Sequence, residues 1–158
     1  VSLYKKIKIK SLDSFVKNKR ESDGSSCVET SITGVRKIYK ALKANKVICF
    51  AADQVPQRGM GEYIKLFNRD AYSTTLVQSL AIKTRCPLVY FYINSNKGNF
   101  LTVTIKNINN NIYSDSKHSQ IVNKGIEKII NARPIDYSWE YKRFKKSKTE
   151  QQDPYLGV

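Results

Sequence analysis

The chain has 158 residues, of which 28 are Lys or Arg, 13 are Asp or Glu and one is His, giving a formal net charge of +15. A length typical of one domain, with 41% hydrophobic residues, supplies a packed core and excludes a wholly disordered chain. No run approaches the roughly 18–20 apolar residues of a membrane-spanning helix, the first residues lack the apolar stretch of a signal peptide, and one imidazole excludes any site that needs two.

In chain order, the alternation over residues 3–10 predicts a strand with Ile7 and Ile9 on one face and lysines on the other. Ser11 caps a short helix to Lys19 with Leu12, Phe15 and Val16 as its stripe, and residues 21–26 read as a loop. Over residues 34–45, Val35, Ile38, Tyr39 and Leu42 recur at helical spacing and leave a cationic outer face. Residues 47–52 form an unbroken apolar run, as expected of a strand buried on both faces of a parallel sheet. Asp53-Gln54 follows directly, then a loop over 55–61 holding Pro56, Gly59 and Gly61, and a brief extended piece from Tyr63 to Phe67.

Ser73 is expected to cap a helix running to about Thr84 with Leu76, Leu80 and Ala81 inward, and Pro87 stops it. Residues 88–93 read as a second buried strand, 94–98 as a turn and 100–105 as a third strand. After an Asn-rich loop at 107–111, a last helix over about 116–132 carries Ile121, Ile126, Ile129 and Ile130, and a basic tail occupies about 142–158. Helices alternating with short strands indicate an α/β layered domain with a central, mostly parallel sheet flanked by helices.

The charge gathers in three clusters, around Lys5–Arg20, Arg36–Lys46 and Lys142–Lys148, which attract polyanions. Asp53-Gln54 is the most suggestive local pair, because ligands of open α/β sheets bind outside the carboxyl ends of strands; an acid there orients a base, binds substrate, or simply forms a turn. Gly59 and Gly61 lack the spacing of a dinucleotide fingerprint, and no phosphate-cradling Walker sequence occurs. His118 lies in a polar stretch and reads as exposed, Ser119 beside it completes no catalytic set, and Cys49 and Cys86 read as inert core thiols. The three cysteines, Cys27 included, lack the spacing of a zinc or redox motif and fit a reduced compartment. No cofactor or metal is expected.

Three blocks carry a resemblance. Residues 35–54, a helix, an apolar strand and Asp-Gln, resemble a block of the bacterial lipid A biosynthesis acyltransferases, the lauroyl/myristoyl transferase family. Residues 61–75 are similar, without a gap, to that family's Gly-Val-Phe-Val-Pro-Phe-Phe-Gly-x-x-Ala-x-Thr-Thr-Thr. Residues 134–145 resemble its Pro-Glu-Gln-Tyr-x-Trp-x-His-Arg-Arg-Phe-Lys, and Tyr4-Lys5 with Leu12-Asp13 resemble the positions before its functional arginine, which Arg20 occupies. Lys65 and Asn68 stand where the family has Pro and Gly, and Tyr141 where it has His. The family's His followed five positions later by an acid is absent, since His118 is followed at that offset by Asn123.

The resemblance implies a glycerolipid-acyltransferase-like layered fold of which residues 1–158 are the carboxyl-terminal part. It also implies transfer of a fatty acyl chain from acyl carrier protein to a hydroxyl of a lipid A precursor at the cytoplasmic face of the bacterial inner membrane. Arg20 would bind phosphate or thioester oxygen, and Asp53 with Gln54 would support the active site. The catalytic set is incomplete without the His motif, and neither that motif nor an amino-terminal membrane anchor is found in these residues, so an inactive fragment is expected. The positive charge would meet an acidic carrier protein, lipid phosphates and an anionic membrane. The competing reading is a basic module for nucleic acid or anionic membrane without catalysis; nucleic acid is disfavoured by the lack of a stacking signature or helix-turn-helix pattern.

Overall fold

The computed structural model describes residues 1–4, 6–22, 24–98, 100–114, 118–146, 148, 154 and 155, with the side chain of His118 outside that description. It divides into two compact units, Val1–Ala51 and Ala52–Val158. Among the described residues no helix is long and apolar enough to cross a membrane.

In the first unit, β1 (Ser2–Tyr4) pairs in parallel with β2 (Cys27–Glu29), and α1 (Lys10–Arg20) and α2 (Ile32–Lys43) follow these strands in turn. Ser31 caps α2 by accepting from the Gly34 amide at 3.0 Å. A Cβ on Gly34 would lie 1.9 Å from the Glu29 carbonyl oxygen, so the start of α2 and the end of β2 meet where only glycine fits. Tyr4 and Ile38 are buried here, while Leu12 and Phe15 on α1 are exposed.

Two expectations fail in this unit. The strand over residues 3–10 ends at Tyr4, and α1 starts at Lys10 after Ile9, which makes no side-chain cap; Asp13 instead turns back to accept the Ile7 amide at 2.8 Å. That short-range hydrogen bond competes with an extended chain in a way alternation does not report. The apolar run at 47–52 forms no strand: Cys49 makes one isolated bridge to Ser2 and is exposed, and Val47 is 78% exposed.

The second unit contains β3 (Gly61–Leu66), β4 (Arg69–Thr74), α3 (Leu76–Thr84), β5 (Val89–Ser95), β6 (Leu101–Asn107) and α4 (His118–Ala132). Short 3₁₀ turns lie at Asn110–Tyr113 and Pro134–Asp136. β3 and β4 form one antiparallel hairpin and β5 and β6 another. The core gathers Leu66 and Ala71 from the first hairpin, Ile108 and Ile112 from the segment after the second, and Val122, Ile126 and Ile130 from α4. Where β5 meets α4, Tyr90 donates to the Ile121 and Val122 carbonyls at 3.3 and 3.2 Å, and a Cβ on Gly125 would fall 1.9 Å from the Tyr90 oxygen.

The central, mostly parallel sheet is therefore corrected. Among the described residues the chain is mixed α/β, with three separate two-stranded sheets of which only β1–β2 is parallel. The extended piece at 63–67 is half of a hairpin whose second strand, β4, includes the expected helix cap Ser73; α3 begins after Thr75, which makes no side-chain cap. Residues 88–93 belong to a hairpin with one open face, not to a strand buried on both. The expected start of the last helix at Ser116 lies outside the described residues.

Candidate active site

Arg20 is the last residue of α1 in the first unit, exposed, with its carbonyl taken by the Ser25 hydroxyl. Asp53 and Gln54 lie in the second unit, in a turn, the first half-buried and the second exposed. What the second unit brings to Asp53 is the terminal block. The Val55 amide donates to the Tyr141 hydroxyl oxygen at 2.8 Å, and the Lys146 ammonium reaches the Pro56 carbonyl. Tyr141 and Lys146 are thus held against the loop that follows Asp-Gln.

Arg143 sits at the centre of this contact. Only 3% exposed, it donates from Nη1 to the Tyr72 carbonyl at 3.0 Å and from Nη2 to the Ser73 hydroxyl at 2.5 Å, both on β4. The Ser73 hydroxyl donates to the Ala71 carbonyl at 3.1 Å and accepts a further bond from Asn123 Nδ2 at 3.1 Å. The same Asn123 nitrogen and Gln120 reach the Lys65 carbonyl at 3.1 and 3.0 Å. β3, β4, α4 and the terminal block are therefore joined by one buried polar network.

Two donors in this region have no partner among the described residues: Arg143 Nε and the Tyr137 hydroxyl. Burial, followed by the negative charge of Asp53, pushes the Tyr137 phenol above its ordinary pKa, so it stays a neutral donor. Burial pulls the Arg143 guanidinium below its ordinary value, and Tyr137, Tyr141 and Asp53 oppose that shift. Among the described residues Arg143 has no carboxylate within ion-pair distance. A buried cation of this kind is tolerated when a nearby anion offsets its desolvation, and Asp53 is the carboxylate that acts on it.

Chemically, the cluster supplies an acid and two donors but no base for an alcohol. A carboxylate is far too weak a base to deprotonate an alcohol by itself. No group of three or more metal-ligating side chains occurs among the described residues. The polar roles of Tyr137, Tyr141, Arg143, Ser73 and Asn123 are not apparent from sequence spacing, and Arg143 is hidden inside a basic run that reads as a solvated tail.

The three departures from the resembled blocks each have a local explanation. Asn68 stands where a glycine is expected, at φ 61° in the two-residue turn between β3 and β4, and Asn is the residue other than Gly that best tolerates this conformation. Lys65 pairs with Asp70 across the hairpin, its ammonium 3.1 Å from the carboxylate. Tyr141, in place of a histidine, receives the Val55 amide.

A comparison with protein families matches residues 1–146 to the bacterial lipid A biosynthesis acyltransferases. No curated protein matches the chain. With the match spanning both units and every element described above, the chain belongs to the bacterial lipid A biosynthesis acyltransferase family.

Proposed function

We propose that this chain is the supporting part of an acyltransferase that moves a fatty acyl group from acyl carrier protein to a hydroxyl of a lipid A precursor, and that it is inactive without a His-acid pair supplied from elsewhere. The observation that carries this reading is the convergence of Asp53 with the terminal block through Tyr137, Tyr141 and Arg143. Two stretches that resemble the family's blocks, roughly 80 residues apart in sequence, share one polar cluster.

In the reaction, the acceptor hydroxyl loses its proton to an imidazole base while its oxygen attacks the thioester carbonyl, and the carrier's thiolate leaves. Asp53 would hold the electrostatics of that site, Gln54 would support it as a hydrogen-bonding neighbour, and Arg20 would bind phosphate or the thioester oxygen. The net charge of +15 suits an acidic carrier, the phosphates of the lipid and the anionic cytoplasmic face of the inner membrane.

The test is residue-specific. With a His-motif segment supplied and transfer restored, Asp53→Ala and Arg20→Ala are each expected to cut transfer at least about 100-fold, the scale of a lost electrostatic contact at a reacting centre. Full transfer by both variants would remove these residues from the site.

A further inference from the structure

The helix α1 sorts its charges by direction. Residues 5–20 hold seven Lys or Arg and a single acid, Asp13, and that acid is buried, turned onto the Ile7 amide at 2.8 Å. Glu21, directly after the helix, accepts the Cys27 amide at 3.0 Å. Both carboxylates are therefore engaged by backbone amides, while Lys10, Lys19 and Arg20 stay exposed. Beside these cations Ile9, Leu12 and Phe15 are exposed at 62%, 45% and 61%. Their three-residue spacing sets them in one line, with the Lys19 ammonium 6.0 Å from the centre of the Phe15 ring.

We infer that α1, with Ile9 ahead of it, is the element that docks on an anionic lipid surface; the inference rests on the functional reading above, in which such a surface is a partner, and names what meets it. The helix lies in the plane of the interface, its apolar line at the boundary between headgroups and acyl chains, and the lysine stems bend so that their ammoniums stay among the lipid phosphates. Docking in this way brings Arg20, the last residue of α1, to the level of those phosphates, as its proposed role requires.

A protein fits this surface less well. The three apolar side chains expose about 300 Å² together, less than half of the roughly 800 Å² per partner of a standard specific interface. Lysine is depleted at the centre of such interfaces, whereas Lys19 stands over the apolar line itself. Another copy of this chain would bring a second charge of +15 to the contact, against long-range repulsion.

Sedimentation of the full chain with vesicles of mixed phosphatidylglycerol and phosphatidylcholine tests this. Binding is expected, weakening with salt and absent from phosphatidylcholine alone. Leu12→Ser/Phe15→Ser should weaken it at least about 10-fold through lost apolar burial, and Lys10→Gln/Lys19→Gln about 30-fold, at about fivefold per lysine. Lys37→Gln/Lys40→Gln on α2, equal in net charge, should weaken it by clearly less. With Trp139→Phe removing the only tryptophan, Phe15→Trp should give emission that shifts to the blue on these vesicles and is quenched by brominated acyl chains. The far-UV circular dichroism of every variant should match the parent, because the substituted side chains are exposed.

No binding, equal binding to neutral vesicles, an α2 pair as damaging as the α1 pair, or an unquenched indole at position 15 overturns the inference. So does a dimer of the chain, or a complex with acyl carrier protein, that Leu12→Ser/Phe15→Ser abolishes while vesicle binding survives. Acyl transfer, with a His-motif segment supplied, is read separately. Docking through α1 without transfer refutes the functional reading alone, and transfer to a detergent-dispersed precursor without docking refutes the membrane surface alone.

Discussion

Asp53 is the one carboxylate among the groups acting on Arg143, the others being the phenols of Tyr137, Tyr141 and Tyr155. The pair should therefore behave as a unit in stability measurements. Asp53→Asn leaves a buried guanidinium without its offsetting charge and is expected to lower stability by about 1–2 kcal/mol, less than for a fully buried pair because Asp53 is half-exposed. In the Arg143→Met background the same substitution should cost far less, and urea midpoints of the four proteins at pH 7 measure the coupling. Equal costs in the two backgrounds would show that the residues do not interact. Asp53 was legible in the sequence as an acid following an apolar run; Arg143 was not, because its neighbours Lys142, Lys145 and Lys146 give a run of charge that says nothing about which member turns inward.

Among elements, the contact between β5 and α4 is the most constrained, since Tyr90 fills the space a side chain at position 125 would need. Gly125→Ala should destabilise by about 1–3 kcal/mol through overpacking, despite the gain of about 1 kcal/mol in helix propensity. In a Tyr90→Ala background it should stabilise instead, which thermal unfolding of the single and double variants checks. Tyr90 also sets an alkaline limit. Burial pushes its pKa up to about 12, so its contribution is complete below the unfolded value near 10 and is lost as pH rises through the folded value. Urea midpoints measured from pH 9 to 11.5 should fall, and Tyr90→Phe should flatten that fall.

The helices of the second unit were readable because their apolar periodicity coincides with real burial, as at Ile126 and Ile130. β4 was not, because its turn uses Phe67 and Asn68 at positive φ with no glycine to mark it. The apolar run at 47–52 misled for the opposite reason. Hydrophobicity reports what a segment gains from burial, not whether a neighbouring strand is there to bury it, and among the described residues the run makes one isolated bridge, to Ser2, beside two hydrogen bonds with Val1.

For the molecule as a whole, membership of the acyltransferase family implies a lipid A-type substrate and an acyl donor in general, while the Asp53 cluster holds donors and an acid without a base. The proposed role is to support acyl transfer without performing it. When the purified chain is incubated with labelled acyl-carrier protein and a lipid A precursor and the label is followed into lipid, no transfer above the uncatalysed rate is expected; measurable turnover by this chain alone refutes the proposal.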